Sequence, residues 1–190
     1  LEAKIKEGAN GALLTGYSPI TKHDDVVALL EGEELRTFFT KLYDSTPATF
    51  SNKWVRVHGT DECTDEHTDY FRFKSSARNM YTCWLPLGSY TPLEGTLAVC
   101  CGSHKWAGYN AAYGTEVKDE LPKGYEQSSK NAVWRSRSFQ PGDAVIFDIR
   151  LVHCSTANTT KNFRMSMDTR WQPWENVGAD MSSCFVALPE

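Results

Sequence analysis

Residues Phe163 to Arg170 alternate without a break. Phe163, Met165 and Met167 fall on one side of an extended chain, and Arg164, Ser166, Asp168 and Arg170 on the other. Period two held over eight residues predicts a β-strand, because successive side chains of a strand point to opposite faces.

Other segments carry β signals too. Residues 53 to 58 read as a strand, as do 80 to 87 and Thr96 to Cys101, the last two joined by the turn Thr91-Pro92-Leu93-Glu94-Gly95. The acidic stretch Thr60 to Glu66 reads as a solvated loop, with strand-like His67 to Phe73 after it. Pro141-Gly142-Asp143 turns into an apolar strand, Ala144 to Ile149, whose continuation ends in His153. Helical signals are confined to the first 50 residues. Asp24 or His23 caps a short helix running through Glu31, and Gly32 interrupts it. Leu35, Phe38, Phe39 and Leu42 then repeat at the spacing of an amphipathic helix over about residues 33 to 43, and Pro47 ends this flank. Residues 105 to 132 are polar and weakly patterned, and are expected to form a long insertion with some helix.

Helices first, then many short strands with turns between, predict a mainly β fold: a double-stranded β-helix (jelly roll, cupin-like) with a few flanking helices. A length of 190 residues suits one domain, a helical flank over 1–50 and a β core over 51–190. The net charge of −4 and pI near 5.8 offer no electrostatic attraction for nucleic acid or an anionic membrane. No apolar run approaches the length of a membrane span. The six cysteines include no CxxC pair, and buried free thiols in a reducing, cytoplasmic compartment are the expectation. Asn158-Thr159-Thr160 is a glycosylation triplet, a pattern frequent by chance.

His67-Thr68-Asp69 is the motif with chemical content. On a strand, residues two apart share a face, so one imidazole and one carboxylate reach a common point. A second histidine from a distant strand, His153, would complete a facial triad that suits Fe(II) and leaves metal positions open. HxD alone is a weak signal. Order adds specificity: Pro141-Gly142-Asp143 precedes His153, and Arg164 follows eleven residues later, where a guanidinium can fork a carboxylate.

These segments resemble the phytanoyl-CoA dioxygenase family. The matching pieces are His67-Thr68-Asp69, Thr82-Cys83-Trp84-Leu85-Pro86-Leu87, Glu94 to Val99 with Gly102-Ser103-His104, Pro141-Gly142-Asp143, His153-Cys154-Ser155, Asn158 and Arg164-Met165-Ser166. The resemblance implies Fe(II) on His67, Asp69 and His153, with 2-oxoglutarate and O2 as co-substrates. It implies that Arg164 holds the 2-oxoglutarate carboxylate, with Ser155 as a nearby hydroxyl and Trp84 lining the pocket. Trp54 falls near another lining position. The activity implied is oxidation, most simply hydroxylation, of a small organic substrate, with succinate and CO2 as co-products. The carboxylate of Asp69 favours this over halogenation, for which related enzymes leave that position vacant.

Other residues have plainer readings. His104 belongs to a turn, His23 to a helix start, and His58 to a satisfied structural role, though it shares a strand face with Trp54 and Arg56. Arg170 is expected in a buried pair with Asp168 or Asp148. A catalytically inactive jelly-roll binding module is the rival function. An iron-bound isomerase, desaturase or ring-forming oxidase would carry the same site.

Overall fold

The computed structural model describes residues 12–14, 18–73, 78–106, 121–122 and 124–189. In chain order the elements are β1 (Ala12–Leu14), α1 (Asp24–Glu31), α2 (Glu33–Tyr43), β2 (Pro47–Phe50), β3 (Trp54–His58), α3 (Tyr70–Phe73), β4 (Tyr81–Pro86), β5 (Leu97–Cys100), α4 (Tyr125–Ser129), β6 (Trp134–Ser136), β7 (Val145–Asp148), β8 (His153–Ser155), β9 (Arg164–Pro173) and β10 (Phe185–Ala187). Most of the expected insertion lies outside the described residues, and α4 is the helix found within it.

β9 is the axis of the larger sheet. Its first half pairs with β3 and its last residues with β2, while β4 runs antiparallel along its other side. β1 extends β3, β10 extends β2, and β7 extends β4. The smaller sheet has the order β6-β5-β8, and His67 adds an isolated bridge to His153 at its edge. From β4 onward the chain crosses repeatedly between the two antiparallel sheets, which makes the fold a double-stranded β-helix. Trp84, Leu97, Phe139, Phe147 and Leu151 form the apolar layer between them.

The alternation on β9 does what its pattern requires. Met167 and Trp171 join Val26, Leu30 and Phe39 in the core beneath the helices, with Met165 packed against it. Phe39 stacks on Trp171 with ring centroids 4.6 Å apart, and the Tyr43 hydroxyl donates to the Trp171 carbonyl at 2.8 Å. Those aromatic contacts turn α2 away from the expected stripe. Leu35, Phe39 and Tyr43 face inward, whereas Phe38 and Leu42 are 44% and 45% exposed. At the α1–α2 junction a Cβ on Gly32 would stand 2.4 Å from the Ala28 carbonyl, so only glycine fits. The His23 ring caps α1 by accepting from the Asp25 amide.

Three expectations need correction. Pro47 opens a strand rather than only closing the helical flank, and β2 was not anticipated because it is short and led by proline. The stretch from Ala144 to His153 is not one strand: β7 stops at Asp148, the Leu151 amide closes a turn on the Asp148 carbonyl, and β8 belongs to the other sheet. After His67 the chain does not stay extended to Phe73. The amides of Arg72 and Phe73 both donate to the Asp69 carbonyl and wind α3. Among the described residues no helix is long and apolar enough to cross a membrane.

Asn158 ties the loops at the Arg164 end of the sheets. It is fully buried, which closes the glycosylation triplet to any sugar in the folded chain. Its Nδ2 donates to the carbonyls of Asn162 at 2.7 Å and His58 at 3.3 Å, and its Oδ1 accepts from the amide and hydroxyl of Thr160. Asn158→Ala removes these hydrogen bonds, the buried one to the His58 carbonyl included, and should lower unfolding stability by about 1–3 kcal/mol, measurable as a shifted urea midpoint at constant m-value.

Candidate metal centre

His67 and His153 face each other across the antiparallel bridge, each amide donating to the other's carbonyl at 3.0 and 2.9 Å. Their rings therefore project together, with centroids 4.2 Å apart. Each Nδ1 lies against the carbonyl two residues earlier: His67 against Asp65 at 2.7 Å, His153 against Leu151 at 2.9 Å. A carbonyl only accepts, so each Nδ1 carries a proton, and Nε2 is the nitrogen of each ring left to meet a metal. Asp69 stands two residues beyond His67. One ligand atom from each of the three side chains lies within 4.8 Å of the others, and all three residues are buried.

The Asp69 carboxylate is held from behind. Its Oδ2 accepts from Thr82 Oγ1 at 2.6 Å, Arg170 Nη2 at 2.7 Å and Arg170 Nε at 3.2 Å, which leaves Oδ1 for the metal side. Arg170 also donates to Asp168 Oδ2, and Asp168 Oδ1 accepts from Arg56 Nε at 2.5 Å. The Arg170 guanidinium lies 5.0 Å from the Trp54 ring centroid and 5.2 Å from that of Phe73. Burial pushes the Asp69 carboxyl upward, but Arg170, both histidines and Thr82 outweigh it and hold the acid well below the ordinary range. Burial, opposed by Asp69, brings His153 down to about 4.

Arg164 lines the same cleft as His67 and His153. The cleft opens to solvent, and Arg56, Thr82, Trp84, Leu97, Phe147 and Ser155 are among its walls. Arg164 is 2% exposed and donates to Gly95 O at 2.8 Å, Ser166 Oγ at 2.6 Å and His58 Nδ1 at 2.6 Å. Burial and nearby Arg56 lower its guanidinium to about 10.

The structure thus brings His67, Asp69, His153, Arg164, Ser155 and Trp84 together. Trp54 is a correction: it packs with Phe50 and Phe73 and lies against the Arg170 guanidinium, outside the residues that line the cleft. Arg170 pairs with Asp168 as expected but also with Asp69, and Asp148 pairs instead with Arg150. Sequence reasoning missed Arg56, Thr64, Thr82, Leu97 and Phe147 as cleft residues. For Arg56 a signal existed, since it alternates with His58 on one strand face; Thr64 lies in a loop-like stretch, and Thr82, Leu97 and Phe147 lie on predicted strands whose pattern does not say which residues face the cleft.

A double-stranded β-helix with a buried His/Asp/His cluster is a jelly-roll protein with a candidate cation site. The chain belongs to the phytanoyl-CoA dioxygenase (PhyH) family, whose profile matches residues 45–166. No curated protein sequence matches it. Among solved structures it is similar to the non-haem α-ketoglutarate-dependent epimerase SnoN of nogalamycin biosynthesis, at 19% identity and a TM-score of 0.68, covering 88% of this chain and 65% of that one. It is similar to EctD from S. alaskensis, at 16% identity and TM-score 0.69, covering 86% and 57%. The carbocyclase SnoK of nogalamycin biosynthesis stands at 16% identity and TM-score 0.66, covering 86% and 64%. At these identities the likeness shows the fold, and the chain spans less than two thirds of each of these three proteins.

Burial also holds His58 down to about 3, helped by Arg164 and Arg56. Both His58 and His153 sit below the unfolded value of 6.5. As pH falls through the window between that value and about 4, the unfolded chain gains protons that the folded chain refuses. Stability of the metal-free protein should therefore drop steadily across that window. Urea midpoints that stay level from pH 7 down to about 4.5 would contradict this.

Proposed function

We propose that this chain is an Fe(II)- and 2-oxoglutarate-dependent oxygenase that oxidises a small organic substrate. One observation supports it most: ligand atoms of His67, Asp69 and His153 converge, and both histidines line the same cleft as Arg164. The donor set fits Fe(II). Both Nδ1 atoms are occupied by backbone carbonyls, so both rings are oriented to present Nε2, and Asp69 is held ionised. Two nitrogens and one oxygen, with no thiolate, suit a ferrous centre with open positions.

His67, Asp69 and His153 would hold the metal. When bound, Fe(II) and 2-oxoglutarate supply the oxidising chemistry, in which O2 is consumed, succinate and CO2 are released and a substrate C–H bond is oxidised. The protein's work is orientation and exclusion of water. Arg164 receives the distal carboxylate of 2-oxoglutarate, with Ser155 on the same wall. Trp84, Leu97 and Phe147 keep the cleft apolar around it. Asp168 lies on the same wall, and Arg56 and Arg170 neutralise it, so it does not repel an incoming dianion. Hydroxylation and other C–H oxidations draw on the same residues; SnoN and SnoK, an epimerase and a carbocyclase, support keeping both outcomes within the proposal. Six free cysteines support residence in a reducing compartment such as the cytoplasm.

Anaerobic titration of Fe(II) and 2-oxoglutarate tests the proposal through the visible charge-transfer band that 2-oxoglutarate gives on ferrous iron. His67→Ala and Asp69→Ala should abolish the band, and Arg164→Ala should weaken 2-oxoglutarate binding by about 2–3 kcal/mol. An undiminished band in Asp69→Ala would overturn the assignment. Thr82→Val, which removes one donor from Asp69 Oδ2, should lower Fe(II) affinity by roughly 10- to 100-fold in a chelator competition assay.

A further inference from the structure

His58 closes β3 directly opposite Arg164 in the sheet register. It is 2% exposed, and its ring touches three polar residues that line the Arg164 end of the cleft. Nδ1 accepts from Arg164 Nη2 at 2.6 Å and stands 3.4 Å from Ser155 Oγ. Nε2 stands 3.3 Å from Thr64 Oγ1, and the Thr64 amide in turn donates to Ser155 Oγ at 2.7 Å.

A guanidinium has only protons to give, so the Nδ1 facing it must carry a lone pair. The ring is therefore neutral, with its proton on Nε2 toward Thr64. Its depressed pKa of about 3, set by burial, Arg164 and Arg56, agrees with that state. Arg164 commits three of its five N–H groups: Nε to Gly95 O, one Nη1 proton to Ser166 Oγ, one Nη2 proton to His58. One proton remains on each terminal nitrogen, the pair that can fork a carboxylate.

We infer that His58 is a positioning residue of the co-substrate site, whose Nδ1 lone pair orients the Arg164 guanidinium so that its two uncommitted N–H groups receive the distal carboxylate of 2-oxoglutarate. The inference rests on the oxygenase reading above. The chemistry of the partner matters. An aspartate or glutamate at this position would orient the guanidinium as well, but it would cancel the positive charge the co-substrate needs. A neutral imidazole orients without neutralising.

Three variants separate these roles. Equilibrium binding of 2-oxoglutarate to the anaerobic Fe(II)-loaded protein is read from the charge-transfer band, and Fe(II) affinity from chelator competition. His58→Leu should raise the 2-oxoglutarate Kd about tenfold or more, as expected for losing one hydrogen bond to a charged group, and leave the Fe(II) Kd unchanged. His58→Gln, which restores a neutral acceptor, should recover most of the affinity. His58→Glu, a charged acceptor, should bind 2-oxoglutarate more weakly than His58→Gln. Should one variant fail to fold, the remaining pair still carries the comparison with wild type. A wild-type 2-oxoglutarate Kd in His58→Leu, or a loss of Fe(II) affinity as large as that of 2-oxoglutarate, overturns the positioning role. Absence of the band in the wild-type protein instead overturns the oxygenase reading itself.

Discussion

The site is organised around one buried cation. Arg170 lies between the carboxylates of Asp69 and Asp168 and against the rings of Trp54 and Phe73, with its side chain only 3% exposed. Removing such charges from water is expensive, and buried ion pairs are weak evidence for stability. What the arrangement secures is direction. Two N–H groups of Arg170 and the Thr82 hydroxyl all bond to Oδ2 of Asp69, so the carboxylate has a fixed rotation and a single free oxygen. Asp168 and Arg56 do the same for Arg170 one layer further out. The pairs therefore trade desolvation for geometry, which is what a candidate metal ligand requires.

β9 is the element that spans both ends of this machinery. Its polar face presents Arg164 at one end and Arg170 at the other, with Ser166 and Asp168 between. The facing sheet contributes the histidines through a backbone bridge that sets both rings side by side. The two sheets are held together by Trp84, Leu97, Phe139, Phe147 and Leu151. The separation between the Arg164 end and the His/Asp cluster is thus a property of packed sheets, and side-chain flexibility contributes little to it.

How much of this was legible follows from what a linear pattern records. The strand carrying Arg164 was readable because its two faces differ in polarity at every step. The order HxD, His, Arg was readable because its members, each weak alone, fall in one order on strand-like segments. The break at residues 149–151 was not, because a continuous apolar run looks the same whether or not the chain changes sheets. The helical turn after Asp69 was hidden for a similar reason, since Tyr70-Phe71-Arg72-Phe73 suits a strand by propensity and winds only because the Asp69 carbonyl is available. Trp54 was placed on the correct strand face but one layer too close to the cleft. Register along a strand fixes the side, whereas the depth depends on Arg170 intervening. Thr82 lay within a recognised segment, yet its bond to Asp69 joins β4 to the bend before α3, thirteen residues away, and leaves no periodic trace.

The charges along the cleft follow a consistent division. Among the described residues, Arg56 and Arg170 share Asp168, and Arg170 also answers Asp69, so two cations meet two anions. Arg164 is held only by neutral groups: a backbone carbonyl, a serine hydroxyl and an imidazole. The cleft thereby keeps one guanidinium oriented but electrostatically uncommitted, at the end away from the His/Asp cluster. A bound carboxylate there gains a charge-assisted fork without first displacing an internal ion pair. A dianionic co-substrate that met this cation at one end and a divalent metal at the other would be matched to the cleft by charge, and the depressed titrations of His58 and His153 keep those two rings neutral near pH 7.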